Sequence, residues 1–366
     1  MTRTPPGRLM MIGIPGPELD PETRSLLTRH SIGGVILFRR NVRDVEQLSR
    51  LVAEIHSVSP ERPILVAIDH EGGRVMRLDR PFTHFPPAAL LGAAASPHLA
   101  YRVGVAMGEE LRAVGIDLDF APVLDVDSNP KNPVIGDRSF GSHPRTVARM
   151  GVSLAHGLKR AGVLACGKHF PGHGDTALDS HFELPTVARP LAELERVELF
   201  PFRRAIQEGI ECLMTAHVVF SALDRELPAT LSRRILTDLL RERLHFRGVV
   251  FCDDLEMKAI ADRWGAGDSA VLALEAGADC LLFCENAAMA EEAIAAVERA
   301  AAHRSGLRSR LEDADARIEQ LRRTHLRRRR IPREDRFTAE ARRRHANLVT
   351  WIEERAAAKR TATADT

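Results

Sequence analysis

The chain has 366 residues, 44% apolar and 28% charged, with a formal net charge of +2 at pH 7. That balance describes a globular chain with a sizeable core, and no apolar run approaches the ~20 residues of a membrane span. The near-neutral total hides an asymmetry: from residue 301 on there are 18 Lys and Arg against 10 Asp and Glu, before it 34 against 40, so only the tail is basic.

The first residues, Met1 to Gly7, run into a strand-like segment too short for the apolar core of a secretion signal, and Gly13, Pro15, Gly16 and Pro17 break it early. The cysteines number five, Cys166, Cys212, Cys252, Cys280 and Cys284. They form no CxxC pair and sit in or at the end of strand-like runs, so they read as small buried hydrophobes in a reducing, cytoplasmic setting.

In chain order, Leu9–Ile14 reads as a strand and Glu22–His30 as a short helix. Gly33–Phe38 is a second strand, followed by a helix over Asp44–Ser57 with apolar residues at Val45, Leu48, Leu51, Val52 and Ile55. Ile64–Ile68 is the third strand, His98–Val114 helical, Asp117–Leu124 the fourth strand and Arg145–Ala161 helical again. Val163–Gly167 is the fifth strand, Leu191–Glu208 a helix, Glu211–Val219 the sixth strand and Arg234–Leu244 a helix. Gly248–Cys252, a helix over Ala266–Ala276, Asp279–Phe283 and a helix over Ala287–Ala302 complete the alternation. Eight near-continuous apolar strands alternating with helices mean parallel strands covered by helices. With this length, and no GxGxxG after the first strand, the pattern predicts a single (β/α)8 barrel over residues 1–305 with a helical extension over 306–366. In the extension, Leu307–Leu321 reads as an amphipathic charged helix. The run Leu326–Arg330 lacks interleaved aromatics, so it reads as a solvated helix end rather than a nucleic-acid patch. Arg360–Thr366 is expected to be disordered.

Barrel enzymes place their chemistry at the C-terminal ends of strands. Polar residues fall there strand after strand: Asp69, Asp125, Lys168 with His169, His217, Asp253 with Asp254, and Glu285. The densest stretch, Lys168–His181, holds one Lys, three His and two Asp around Pro171, Gly172 and Gly174, and reads as a loop following the fifth strand. Asp179 and His181 are two apart, so in an extended loop they project to one side and can pair. A carboxylate there favours the protonated ring and orients it, which makes His181 a candidate proton donor. There is no GxSxG elbow and no Walker loop. Carboxylates facing a separate proton donor suit glycoside hydrolysis. Two other chemistries use the same residues: a zinc site on His169, His173 and His181, or a Schiff base on Lys168. Glu71 and Arg74, beside Gly72 and Gly73, read as braces of a turn, and His173 and Asp175 as residues that shape their loop.

Four segments carry a family resemblance. Lys168–His181 is similar to the signature KHFPGHGxTxxDSH of bacterial β-N-acetylglucosaminidases of glycoside hydrolase family 3. Asp69–Arg77 resembles that family's DQEGGRVxR segment, Ile135–Gly141 its IGxR[SA][FY] segment, and Gly248–Met257 its GV[IV]xSDDLxM segment. The resemblance runs in order from about residue 8 to 300. Two departures, His70 for Gln and Cys252 for Ser, stand beside site residues where they can tune the fit of a substrate. The resemblance implies Asp253 as nucleophile, His181 as general acid/base with Asp179 as its partner, and Asp69, Arg77, Arg138, Lys168 and His169 as holders of an N-acetylglucosamine unit. It further implies an exo-acting, retaining, cytoplasmic and monomeric enzyme, without metal or cofactor, acting on muropeptide fragments of the cell wall, N-acetylglucosamine linked to anhydro-N-acetylmuramic acid. Phosphate in place of water as acceptor, or amino-sugar binding without catalysis, are the alternatives on the same fold.

Overall fold

The computed structural model describes residues 4–177, 184–328 and 337–364. The first half contains β1 (Met10–Gly13), α1 (Pro21–Arg29), β2 (Gly34–Leu37), α2 (Val45–Ser57), β3 (Leu65–Ile68), α3 (Ala88–Ala94), α4 (Pro97–Ala113), β4 (Leu118–Asp119), α5 (Pro144–Ala161) and β5 (Leu164–Phe170). The second half contains β6 (Thr186–Val187), α6 (Leu191–Arg196), α7 (Leu199–Gln207), β7 (Cys212–Thr215), β8 (Val219–Phe220), a π-helical segment (Arg234–Arg243), β9 (Val249–Phe251), α8 (Lys258–Ala276), β10 (Leu281–Phe283) and α9 (Ala287–His303). Two tail helices follow, α10 (Ser305–Arg328) and α11 (Ala339–Ala364).

Helix starts follow local chemistry. The Asp20 and Asp44 carboxylates accept the Thr23 and Gln47 amide hydrogens at 2.8 Å each, satisfying donors that α1 and α2 leave open. Eight strands form one sheet in the order β10-β1-β2-β3-β4-β5-β7-β9, every ladder parallel. The two sheet ends meet through a parallel bridge between Phe251 and Cys280, with the Cys252 amide donating to the Cys280 carbonyl at 2.8 Å. The barrel predicted from the alternation is therefore present. Its interior is apolar, Phe120 packing edge-on against Phe251 at 5.4 Å, and all five cysteines are buried and unpaired.

Four elements differ from the sequence expectation. The fourth strand shrinks to Leu118–Asp119 plus a bridge from Val123 to Lys168, because Pro122 has no amide hydrogen to give the ladder. β5 runs on through Lys168 and His169 to Phe170, so those two residues stand on a strand and not in a loop. The helix expected over Leu191–Glu208 breaks between Arg196 and Leu199, since Pro201 is tolerated only in a first turn. The sixth strand stops at Thr215, and Val219–Phe220 pairs instead with Thr186–Val187. One helix was not expected at all, α3; α11 falls within the expected helical extension, but its backbone runs to Ala364, through most of the stretch expected to be disordered.

The tail binds the barrel through buried carboxylates at strand beginnings. Asp117 accepts from His56 at 2.9 Å and from His325 of α10 at 3.3 Å. Asp279 is held by Arg241 at 2.5 Å and by Arg310 and Arg317 of α10. Burial opposes the charge of Asp117, yet the His325 and His56 hydrogen bonds keep its carboxyl below the usual range. α10 thus packs across the N-terminal end of the barrel, leaving the C-terminal end open. Among the described residues no helix is long and apolar enough to cross a membrane.

Candidate active site

At the C-terminal ends of the strands lies a cavity of about 320 Å³, lined among others by Asp69, Glu71, Arg77, Arg138, Lys168, His169, Asp253 and Asp254. β3 delivers Asp69 at its end, and the chain then turns back through Gly72 and Gly73 to bring Arg77 to the rim. Gly72 has φ +97°, and a Cβ there would come within 2.5 Å of the Pro86 carbonyl oxygen, so the turn that carries this wall requires glycine. β5 presents Lys168 and His169 from the neighbouring wall. The loop after it presses Gly174 so close to Val126 that a Cβ would lie 1.6 Å from its carbonyl oxygen. Asp253 follows the end of β9 by two residues and lines the same cavity.

Charge is organised by pairing. Lys168, only 2% exposed, places Nζ 2.6 Å from both Asp69 Oδ1 and Glu71 Oε1. Glu71 also accepts two parallel hydrogen bonds from Arg138, Nε and Nη2, at 2.8 Å each. Arg77 Nη2 lies 3.5 Å from Asp69 Oδ2. Burial disfavours the charge of Glu71, but Lys168 and Arg138 hold it far below the usual carboxylate range. Burial likewise disfavours the Lys168 ammonium, and Asp69 and Glu71 outweigh it, so Lys168 stays protonated. An ammonium fixed between two carboxylates cannot offer the lone pair that imine formation needs, which removes the Schiff-base reading.

His169 is oriented from behind. Asp125 is fully buried, and its carboxylate lies 2.7 Å from His169 Nδ1 while accepting the backbone amides of His169 and His173 at 3.1 and 2.7 Å. That contact places the proton on Nδ1 and turns Nε2 toward the cavity, 3.5 Å from Arg138 Nη2. His173 packs edge-on against His169 at 5.8 Å, and burial, then the neighbouring His169, lowers it to about 4, so it is neutral.

Asp253 receives the Asp254 amide on Oδ1 at 2.9 Å and gives its own amide to Thr215 Oγ1 at 3.3 Å. Burial works against its charged form. The His217 and His169 rings, the Asp254 amide and Lys168 more than offset this, and the carboxyl titrates below the ordinary Asp value. The adjacent Asp254 goes the other way: burial and then Glu256 push it up to about 7. Two neighbouring carboxyls are thus driven apart, the first ionised and free to act as a nucleophile.

The structure brings together six of the expected residues, Asp69, Arg77, Arg138, Lys168, His169 and Asp253, on one cavity. His181 and Asp179 lie outside the described residues. His70 and Cys252, expected to tune the fit, do not line the cavity: His70 is fully buried against Phe85, and Cys252 accepts the Leu282 amide at 3.3 Å. Asp175 shapes the loop as expected, held in a two-pronged pair by Arg189 at 2.5 and 2.7 Å. His173 does line the cavity. Sequence reasoning missed Glu71 as the hub of the two cations and Asp125 as the support of His169. The available signal was their place right after strands three and four. Among the described residues no group of three or more His, Cys, Asp or Glu is arranged to hold a metal ion.

Residues 2–321 match the family described as Glycosyl hydrolase family 3 N terminal domain. The chain is 42% identical over 295 residues to a beta-hexosaminidase of Thiobacillus denitrificans, covering 79% of this chain and 81% of that protein. A beta-hexosaminidase of Neisseria meningitidis serogroup C is also 42% identical over 295 residues, with 78% and 81% covered. Among solved structures, a glycoside hydrolase family 3 beta-N-acetylglucosaminidase from Paenibacillus superposes with a TM-score of 0.91 at 40% identity, over 97% of this chain and 69% of that one. NagZ from Neisseria gonorrhoeae in complex with N-trifluoroacetyl-D-glucosamine gives a TM-score of 0.74 at 35% identity, over 95% and 99%.

Proposed function

The chain belongs to glycosyl hydrolase family 3, and from that premise we propose that it is an exo-acting, retaining β-N-acetylglucosaminidase. The observation that carries this reading is Asp253: an ionised carboxylate facing, across a cavity of sugar size, a wall of paired Lys168, Arg138 and Asp69. The beta-hexosaminidase relatives and the neighbour that holds N-trifluoroacetyl-D-glucosamine support the sugar.

In the first half-reaction an Asp253 oxygen bonds to the anomeric carbon as the glycosidic bond breaks, and His181 gives its proton to the departing oxygen. In the second, His181 takes a proton from water, whose oxygen displaces Asp253 from the anomeric carbon. Asp179 orients the His181 ring and supports its charge. Asp69, Arg77, Arg138, Lys168 and His169 hold the N-acetylglucosamine unit, with Glu71 and Asp125 positioning the cations and the imidazole among them. A histidine donor avoids setting a second ionised carboxylate beside Asp253, and its ordinary pKa of about 6.5 suits proton transfer near neutral pH. The motif resemblance supports a cytoplasmic cell-wall fragment, N-acetylglucosamine on anhydro-N-acetylmuramic acid, as the natural substrate.

Turnover of 4-nitrophenyl N-acetyl-β-D-glucosaminide tests the reading, with N-acetylglucosamine as the expected product with or without phosphate. Sugar 1-phosphate formed when phosphate is added would make the enzyme a phosphorylase. Absence of turnover on this and on the disaccharide would reduce it to a binding protein.

A further inference from the structure

The family match ends at residue 321, and helix α11 lies beyond it. Its buried side chains, Ala341, His345, Leu348, Ile352 and Ala356, recur at helical spacing and face the body of the protein. What they cover is α3 and α4, together with the Phe82–Phe85 stretch that follows the segment carrying Asp69, Glu71 and Arg77. Phe337, just ahead of the helix, meets the Phe82 ring at 4.8 Å, and the His345 ring lies 6.4 Å from Phe85. His345 Nδ1 is 2.8 Å from Glu110 Oε1 and Nε2 is 3.1 Å from Glu109 Oε2. Two nitrogens that both face carboxylate oxygens must both carry hydrogen, so this buried ring is an imidazolium.

Glu110 is the next link. Its carboxylate also accepts the Thr83 amide at 2.9 Å and the Thr83 hydroxyl at 2.6 Å. Two residues on, the Phe85 carbonyl accepts the Gly73 amide at 2.8 Å, and the Phe85 ring abuts His70, the residue between Asp69 and Glu71, at 6.4 Å. Every step from the tail helix to the sugar-facing loop is a direct contact. Without His345, Glu110 would keep, among the described residues, the Thr83 amide and hydroxyl as its donors but lose the cation that faces it, and a buried carboxylate stripped of its charged partner is costly.

We propose that His345 is a positioning residue for the substrate pocket: through Glu110 and Thr83, and through the Phe85 ring, it holds loop 69–77 in register against the cavity. The inference rests on reading that cavity as the N-acetylglucosamine site. The loop holds the sugar and does not supply the nucleophile, which stands just after β9. Loss of the link therefore weakens binding in ground state and transition state alike, and the change appears in KM.

The test uses the full chain with His345→Ala, Thr83→Val and Ile352→Ala. Thr83→Val removes one hydroxyl at nearly constant shape, so it keeps the test open if His345→Ala does not fold. Ile352→Ala loosens the same helix without touching the link. His345→Ala is expected to raise KM for the aryl glycoside about tenfold with kcat within about twofold, and Thr83→Val to shift KM in the same direction. Ile352→Ala is expected to lower Tm and leave KM unchanged. Hydrogen exchange at residues 70–77 is expected to quicken in His345→Ala and Thr83→Val and not in Ile352→Ala. Unaltered KM and exchange in the first two variants, or equal changes in all three, overturn the inference. Faster exchange in a protein whose wild type turns over no N-acetylglucosaminide upholds the link and refutes only the sugar reading.

Discussion

Replacing Glu71 by Gln isolates the charge at the centre of the pocket wall while keeping its shape. The carboxylate makes three short contacts, 2.6 Å to Lys168 and two of 2.8 Å to Arg138. Glu71 is 8% exposed, so water screens none of these well. Gln retains one acceptor but turns an NH2 group toward a cation. Removing one partner of a buried pair costs ~3–5 kcal/mol, and because one acceptor survives we take ~3 kcal/mol. At ~2.1 cal/mol/K per residue, 366 residues lose about 0.8 kcal/mol of stability per degree near Tm, so Tm falls by about 4 °C. Lys168 keeps Asp69, while Arg138 loses its two-pronged carboxylate, so on the proposed roles the sugar-holding geometry suffers before the nucleophile does. KM for the aryl glycoside is expected to rise about tenfold and kcat to change by less than about threefold. Scanning calorimetry and initial rates on one preparation check both numbers. A Tm within about 1 °C of wild type and a KM within about twofold would refute the view that Glu71 holds the two cations in place.

Asp253→Asn is expected to cut turnover by at least about 10³-fold with Tm nearly unchanged, because the role proposed for the group is at the reacting carbon and not in the core; residual activity near wild type would pass the nucleophile role to another carboxylate. His181→Ala is expected to slow the disaccharide strongly and an activated aryl glycoside much less, with N-acetylhexosamine accumulating on the Asp253 peptide in mass spectra; Asp179→Ala gives a weaker version. Equal loss on both substrates without an adduct would make His181 a mere wall of the pocket. The last outcome concerns pH. Burial alone would lower His345, but hydrogen bonds to Glu109 and Glu110 raise it to about 9; Arg102, Arg160 and Arg344 share with it a second cavity, separate from the one that Asp253 faces. A raised pKa contributes stability that is complete below the ordinary ~6.5 and is lost as pH rises through about 9. Tm is therefore expected to fall between pH 7 and pH 9.5 more in wild type than in His345→Ala, as followed by thermal denaturation; parallel curves would remove the imidazolium.

Barrel architecture was legible in the sequence because a parallel strand buried on both faces must be apolar throughout and its covering helix must show period 3.6, as in Val35–Leu37 followed by Leu48, Leu51, Val52 and Ile55. The candidate residues were legible for a related reason: Asp69, Lys168 and Asp253 follow apolar runs, where a charge is tolerated only at the open end of a strand. For α11 only the helical character of the extension was read, because its arginines mask the narrow apolar stripe of Ala341, His345, Leu348 and Ile352 that the structure buries. What spacing along a chain could not decide is which charges meet. Glu71 looked like a brace beside two glycines, and only the closed barrel sets β3 near β5 so that it reaches Lys168, 97 positions away in the numbering, and Arg138 beyond. The same holds for Asp125 beneath His169 and for His345 against Glu110, 235 residues apart. Apolar burial and backbone period are local properties, written residue by residue. The pairing of ionised groups depends on distance and dielectric in three dimensions, and those exist only once the strands have closed.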